Sequence, residues 1–222
     1  MIKYKVMKRS ILYIALLLMS FGCANAQDED ETLVRVPAPK AGKAVATFAA
    51  GCFWASQEAM SELKGVEQVI AGYSGGTMPN PSYADVCTEQ TGHAEAVQVY
   101  YDPKVISYEQ LVTAFFYAHD PTTLNRQGPD EGTSYRSAIF YRTPAEKQTI
   151  QKVINEVNAS KHYKDKIVTQ VAPYTAFYGG EAYHQGYYRA HMDRGYIRTV
   201  SVPKVMKMRK AVPQLLKPEF KK

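Results

Sequence analysis

Cys52 is the residue with the most chemistry to offer. It follows Gly51 at the junction between a short apolar run, Ala44–Ala49, and a segment with helical periodicity from Cys52 to Lys64. At such a junction the first backbone N–H groups of the helix are unpaired and the helix dipole is positive, which favours a thiolate and hence a nucleophile. Phe53 and Trp54, the only tryptophan, come next and would place a small apolar pocket beside the sulfur. A free cysteine is just as often a small buried hydrophobe, and position alone leaves the two readings level. Glu95 is the second signal. It falls in the alternating run Ala94–Tyr101, on the face shared with Val97 and Val99. A carboxyl on an apolar face has a raised pKa and can donate a proton near neutral pH, unless an arginine pairs with it or the strand ends in solvent. Tyr83, Asp130 and Tyr135 sit in two long loops, where phenols and a carboxylate could bind a polar substrate. With 17 tyrosines in the chain, packing is the competing use of any one of them.

Other chemistries lack their residues. The five histidines, His93, His119, His162, His184 and His191, show no metal-ligand spacing. No Gly-x-Gly-x-x-Gly follows a strand, and neither Gly75-Gly76 nor Gly179-Gly180 leads into the Lys-Ser/Thr of a phosphate loop.

The elements that must position these residues follow from periodicity. Ala44–Ala49 reads as a buried strand. Cys52–Lys64 reads as a helix carrying Trp54, Met60 and Leu63, with Gly65 where a C-cap belongs. Val66–Tyr73 and Ala94–Tyr101 alternate as strands, separated by a loop from Ser74 to Gly92. Ser107 and Gln110 form a capping box for a helix reaching about His119, with Leu111, Val112, Phe115 and Phe116 as its stripe. A second loop, Asp120 to Tyr135, precedes a strand at Ser137–Tyr141. Thr143, Pro144 and Glu146 then stand at the N-cap, N1 and N3 of another helix. Ile167–Val171 is the last strand expected, followed by a short helical piece around Glu181–Arg189. This order predicts an α+β two-layer sandwich: a ferredoxin-like core of a mixed sheet backed by helices, with long active-site loops.

The ends of the chain account for the formal charge of +6. Acids and bases balance over residues 32–203, while 204–222 hold seven bases and one acid, so nucleic acid is not an expected partner. Lys3, Lys5, Lys8 and Arg9 precede an uncharged apolar run, Ile11–Gly22, too short to span a bilayer and typical of an export signal. Ala24-Asn25-Ala26 fits cleavage before Gln27; Gly22-Cys23 fits acylation at Cys23, although Ser20 stands where a lipoprotein signal usually has Leu. Either exit makes the protein exported, periplasmic or membrane-anchored, and a lipid on Cys23 would be its only tie to the membrane. The expected organisation is an export signal over 1–26, a flexible linker over 27–43, a catalytic domain over 44–203 and a frayed basic tail over 204–222.

Gly51-Cys52-Phe53-Trp54, Gly72-Tyr73-Ser74-Gly75-Gly76, Asn80-Pro81-Ser82-Tyr83, Gly92-His93-Ala94-Glu95, His119-Asp120-Pro121, Arg126-Gln127-Gly128-Pro129-Asp130, Gly132-Thr133-Ser134-Tyr135-Arg136-Ser137 and Tyr183-His184-Gln185 occur in the order found in one family. Over about Ala44 to Tyr188 the chain resembles peptide methionine sulfoxide reductase of the MsrA type. The resemblance implies that Cys52 attacks the sulfoxide sulfur, Phe53 and Trp54 hold the S-methyl group, and Glu95 protonates the oxygen. Tyr83, Tyr135 and Asp130 would bind that oxygen. The S epimer would be the one reduced, leaving a sulfenic acid on Cys52. The resemblance implies action on methionine sulfoxide, free or in proteins, with no bound cofactor or metal and with an external thiol such as a thioredoxin-like protein as reductant.

The chain departs from that family where many members carry resolving cysteines: Pro203–Lys222 contains none, and the cysteines are Cys23, Cys52 and Cys87 alone. Direct reduction of the sulfenic acid by an external thiol is the expected consequence, with Cys87 a packing residue and a Cys52–Cys87 disulfide the lesser alternative. Gln57 stands near the nucleophile where Glu is usual, and no chemistry is assigned to it. Two other classes compete. A cysteine hydrolase would need a histidine base such as His93 or His184. A peptide-binding surface domain would need no thiol at all.

Overall fold

The computed structural model describes residues 31–221. The export signal at 1–26, Cys23 within it, the start of the linker and Lys222 lie outside the described residues.

The chain enters the fold through β1 (Ala44–Ala50), which sends Ala46 and Phe48 to one face and Ala49 to the other. It turns at Gly51 into α1 (Phe53–Ser61), crosses back as β2 (Val66–Ser74), and makes a one-turn helix, α2 (Tyr83–Cys87), before β3 (Ala94–Tyr101). Next come α3 (Tyr108–Tyr117), a small hairpin of β4 (Arg126–Gln127) and β5 (Asp130–Glu131), then β6 (Ser137–Tyr141) and α4 (Pro144–Ala159). The chain finishes with β7 (Gln170–Pro173), β8 (Phe177–Gly179), α5 (Tyr187–Ala190) and α6 (Val202–Ala211). The caps read from the sequence are formed. Ser107 Oγ accepts from Gln110 N at 3.1 Å while Gln110 Oε1 accepts from Ser107 N at 2.9 Å, and Thr143 Oγ1 accepts from Glu146 N at 3.1 Å.

The sheet order is β7-β6-β1-β3-β2-β8, antiparallel throughout except for the parallel pair β6–β7. The four inner strands, β6-β1-β3-β2, are the split βαβ arrangement expected, and β7 and β8 extend its edges. Every residue of β3 is buried, because both faces of the sheet are covered. Val97, Val99 and Tyr101 join the helix-side core with Phe48, Leu111, Phe115 and Ile139. Ala94, Ala96 and Tyr100 join a thinner layer on the other side, with Phe140 and Phe177.

Five expectations need correction. The linker expected over 27–43 is docked from Thr32 onward: Val34 N donates to Gly180 O at 3.0 Å, Ala182 N to Thr32 O at 2.9 Å, and Tyr100 Oη to Pro37 O at 2.7 Å. Small alanines on that face of the sheet leave room for Val34 and Val36 to lie against it. Gly65 does not cap α1; Glu62 does, and Gly65 makes the left-handed turn into β2 with φ 73°. The two loops hold regular structure. A capping box between Ser82 and Asp85 starts α2, and β4 and β5 pair within the second loop. Ile167–Val171 is not the last strand: the strand lies at Gln170–Pro173 and β8 follows it, three residues being too few to show a period.

The fifth correction is the largest. The basic tail is not frayed. Val205, Met208, Leu215 and Leu216 are buried in the helix-side core, a narrow seam that the charges of α6 conceal in the sequence. Glu62, 0% exposed, accepts from Arg209 Nε at 2.8 Å and Nη2 at 2.6 Å. Lys64 N donates to Leu215 O at 2.8 Å, and Lys217 N to Glu62 O at 2.9 Å. Among the described residues no helix is long and apolar enough to cross a membrane.

Breaking a buried ion pair from one side strands the other charge. Arg209→Met is expected to lower the stability of the full chain by about 3 kcal/mol in urea denaturation, and Glu62→Met together with Arg209→Met to recover most of that loss.

Candidate active site

Gly51 makes the geometry of the site possible. Its φ is 74°, and a Cβ there would stand 2.4 Å from the Cβ of Gln127. The left-handed turn drops Cys52 beneath the start of α1 instead of carrying it on along β1. Cys52 is the helix N-cap, but its side chain makes no cap bond. Of the first two helical N–H groups, Phe53 N donates to Glu95 Oε2 at 2.9 Å, and Trp54 N faces the Cys52 sulfur and favours its ionised form. Glu95 reaches this position from β3, on the face with Val97 and Val99, as its place in the alternation predicts.

Cys52 and Glu95 are both buried, 5% and 3% exposed, and face each other's charge. Burial pushes the Cys52 thiol well above its ordinary value and Glu95 raises it further, outweighing the Trp54 N–H, Tyr196 and the positive charge of Lys204. The helix start is therefore not enough to make a thiolate at rest. Burial also pushes Glu95 up to about 8, against the Phe53 N–H, which favours its ionised form; Asp130 adds to the rise. At neutral pH Glu95 holds a proton.

Above the pair opens a cleft of about 440 Å³ lined by Cys52, Phe53, Trp54, Tyr83, Glu95, Asp130 and Tyr135. These are all seven residues singled out from the sequence, here brought together from α1, α2, β3, β5 and the turn before β6. Five more close the cleft that sequence reasoning missed: Tyr187, Arg194, Gly195, Tyr196 and Ile197. Tyr187 stacks on Trp54 with centroids 3.8 Å apart, and Tyr196 meets the indole edge-on at 5.9 Å. Tyr196 Oη donates to Asp130 Oδ2 at 2.5 Å and also contacts the Cys52 sulfur. Burial holds the phenols of Tyr83 and Tyr135 protonated, with the Glu95 charge the next contribution, so both remain donors. No periodic pattern marks Tyr187 or Tyr196; the only local signal is that Gly186 and Gly195 precede them.

A second layer fixes the first. Glu181 accepts from Tyr83 N and Tyr73 Oη, both at 2.7 Å, which sets the start of α2. His184 Nδ1 accepts from Trp54 Nε1 at 3.2 Å, placing the imidazole proton on Nε2, which lies 3.7 Å from Glu181 Oε2. Glu89 ties one loop to the other, accepting from Ser134 N at 3.0 Å, from Thr133 Oγ1 at 2.5 Å and from Ser134 Oγ. Gln57 donates to Val69 O at 2.9 Å and Gln185 Oε1 at 3.0 Å, and accepts from Gly186 N at 2.9 Å. A glutamate there could not donate the first two.

Neither histidine proposed as a base reaches the thiol. His93 is held between Gly76 N and Met78 O, and His184 lies behind Phe53 and Trp54. Cys87 is exposed at the end of α2 beside the Tyr83 phenol, so it is not the packing residue expected; both it and Cys52 are free thiols. Among the described residues no cluster of His, Cys, Asp or Glu could hold a metal ion.

Comparison with known proteins matches residues 44–215 to the family model described as peptide methionine sulfoxide reductase. Peptide methionine sulfoxide reductase MsrA of Deinococcus radiodurans is 46% identical over 83% of this chain and 90% of its own length. The Thermus thermophilus MsrA is 46% identical over 78% and 98%. Among solved structures, reduced Mxr1 of Saccharomyces cerevisiae aligns with a TM-score of 0.67 and 34% identity, over 73% of this chain and 94% of that one. Methionine sulfoxide reductase A of Corynebacterium diphtheriae aligns at 0.62 and 29%, over 74% and 90%.

The Glu89 tie carries a prediction that involves no group at the sulfur. Glu89→Ala frees the turn bearing Tyr135 and is expected to raise KM several-fold with a smaller change in kcat, read in steady-state kinetics on a methionine sulfoxide peptide.

Proposed function

The chain belongs to the peptide methionine sulfoxide reductase family, enzymes that reduce methionine sulfoxide and so repair oxidised protein, and we propose that Cys52 and Glu95 carry the reduction. The observation behind this reading is the buried thiol and raised-pKa carboxyl that share the start of α1 under an aromatic cleft. Phe53 and Trp54, backed by Tyr187 and Tyr196, receive the S-methyl group. Tyr83 and Tyr135 donate hydrogen bonds to the sulfoxide oxygen, and Asp130, with Tyr196 on its carboxylate, holds the polar side of the cleft.

The Cys52 sulfur attacks the sulfoxide sulfur while Glu95 delivers its proton to the oxygen. The S–O bond breaks, the oxygen passes to Cys52 as hydroxyl, and methionine leaves. The sulfoxide gains two electrons and Cys52 becomes a sulfenic acid; the proton given up by the thiol returns to Glu95. With the methyl group fixed on one side and the oxygen on the other, only one epimer can turn its sulfur to Cys52, and the S form is assigned from the family. No bound cofactor takes part. An external thiol, such as a thioredoxin-like protein, attacks the sulfenic acid to give a mixed disulfide and water, and a second thiol releases Cys52. Ile197 sits buried at the edge of the cleft, and the tail from Pro203 on supplies no cysteine to do this from within.

The apolar run after Lys3–Arg9 supports export, placing the enzyme in the periplasm or on a membrane through Cys23, with oxidised envelope proteins as substrates. Radiolabelled palmitate should enter the full chain expressed in a bacterial host and be lost in Cys23→Ala if Cys23 is the anchor; an N-terminus at Gln27 in unlabelled protein would show cleavage instead.

With dithiothreitol as reductant, the S epimer is expected to turn over and the R epimer not. Cys52→Ser should abolish turnover, and Glu95→Gln should slow it by about 10²–10⁴. Cys52 and Glu95 titrate as a pair, and the reactive state keeps the proton on Glu95. Because attack needs the Cys52 thiolate, raised well above its ordinary value, together with the acid form of Glu95, raised to about 8, kcat/KM should rise with pH and stop rising at about 8, and Glu95→Gln should lose this break. Turnover of the R epimer, or an active Cys52→Ser, would overturn the assignment.

A further inference from the structure

One charged group under the cleft has no part in these steps. Lys204, in the first turn of α6, has a side chain 12% exposed, and its Nζ is buried without a hydrogen-bond partner. It lies 4.0 Å from Asp130 Oδ2 and 3.7 Å from the point where a Cβ on Gly51 would stand, against the backbone that delivers Cys52. An ammonium left like this is unfavourable unless negative charge compensates it. The groups facing it come from four elements: Cys52 at the β1–α1 junction, Glu95 on β3, Asp130 on β5 and His119 after α3. Tyr196 links two of them, between Asp130 and the Cys52 sulfur. His119, lowered to about 3 chiefly by burial, is neutral and adds no positive charge. Burial lowers the Lys204 pKa, and the charges of Cys52, Asp130 and Glu95 act against that, so Lys204 is the buried cation among two carboxyls and a thiol.

Once the Cys52–Glu95 pair has lost one of its two protons, the other can sit in two ways, as thiol with carboxylate or as thiolate with acid, and only the second can attack. We propose that Lys204 is the countercharge that selects it: a positioning residue whose ammonium, beside Gly51 and the Asp130–Tyr196 pair, favours Cys52 as thiolate while Glu95 keeps the proton. This rests on the reading of Cys52 as nucleophile. The same charge would draw an incoming anionic thiol into a cleft that holds Asp130, as a chain whose described thiols are Cys52 and Cys87 alone requires.

The test is the pH dependence of Cys52 alkylation by iodoacetamide in the full chain, with mass spectrometry separating Cys52 from Cys87. Lys204→Met is expected to move the midpoint upward by about one pH unit and to slow alkylation at neutral pH roughly tenfold, with a parallel fall in kcat/KM. Lys204→Arg, which keeps the charge, should restore most of both. If Lys204→Met does not fold, Lys204→Gln serves in its place. An unmoved midpoint in a folded neutral variant, or an arginine variant no better than the neutral one, overturns the proposal. Cys52→Ser keeps the two readings apart: if it retains turnover, the nucleophile assignment fails, whereas a dead Cys52→Ser with an unmoved midpoint removes only the countercharge.

Discussion

The hydrogen bond from Phe53 N to Glu95 Oε2, 2.9 Å long, is the contact on which the rest of the site depends. It joins the first turn of α1 to the middle strand of the sheet, so the nucleophile and the acid move as one body. It also gives a buried carboxyl one favourable partner, without cancelling the cost of its burial. A carboxyl supplied with several N–H donors would be ionised at neutral pH; one with a single donor in an apolar setting keeps its proton. Glu95, raised to about 8, is of the second kind. The same bond satisfies a helix-terminal N–H that the Cys52 side chain leaves uncapped, so replacing Glu95 removes an acid and uncaps a helix together.

Two buried titratable groups on one helix start are a weak point for stability, and the surrounding structure offsets it. The sheet supplies a strand with no exposed residue. The extra strands and the segment around Val34–Pro37 cover the face that four strands would leave open. The strap from α6 to Leu216 covers α1 from the other side and is locked by Glu62 and Arg209. That strap also carries chemistry: Tyr196 and Ile197 line the cleft just before α6, and Lys204 lies within it. The segment that resembles a loose basic tail in composition is therefore part of both the core and the active site.

What was legible in the sequence was what local periodicity and short motifs encode. Ala94–Tyr101 and Ser137–Tyr141 are strands over the residues expected, since alternation needs no partner to be seen. The seven residues of the cleft could be picked out because each is chemically conspicuous where it stands: a cysteine before aromatics, a carboxyl on an apolar face, phenols in glycine-rich loops. Tyr187, Tyr196 and Lys204 were not, because their roles exist only after the chain after β8 has folded back over α1. The supporting roles of Glu181, Glu89 and His184 are invisible for the same reason; each acts through a partner at least 40 residues away. The Cys52 thiol, left between two readings by its position, shows the limit from the other direction. Its place at a helix start was right, but burial and a neighbouring carboxyl outweigh the dipole, and neither can be weighed without the third dimension.

The missing resolving cysteine changes what the site must do after the first half of the reaction. Where a tail cysteine is present, the sulfenic acid is met by a tethered thiol at high effective concentration. Here Ile197 is buried at the cleft edge, and the tail is pinned by ion pairs and a buried apolar seam. A thiol from outside has to enter, as an anion, a cleft that already carries Asp130. Repulsion in a buried site is poorly screened by salt, so a fixed positive charge near the sulfur matters more here than it would at a surface. The packed tail, which buries an ammonium beside Gly51, supplies that charge and holds it in place.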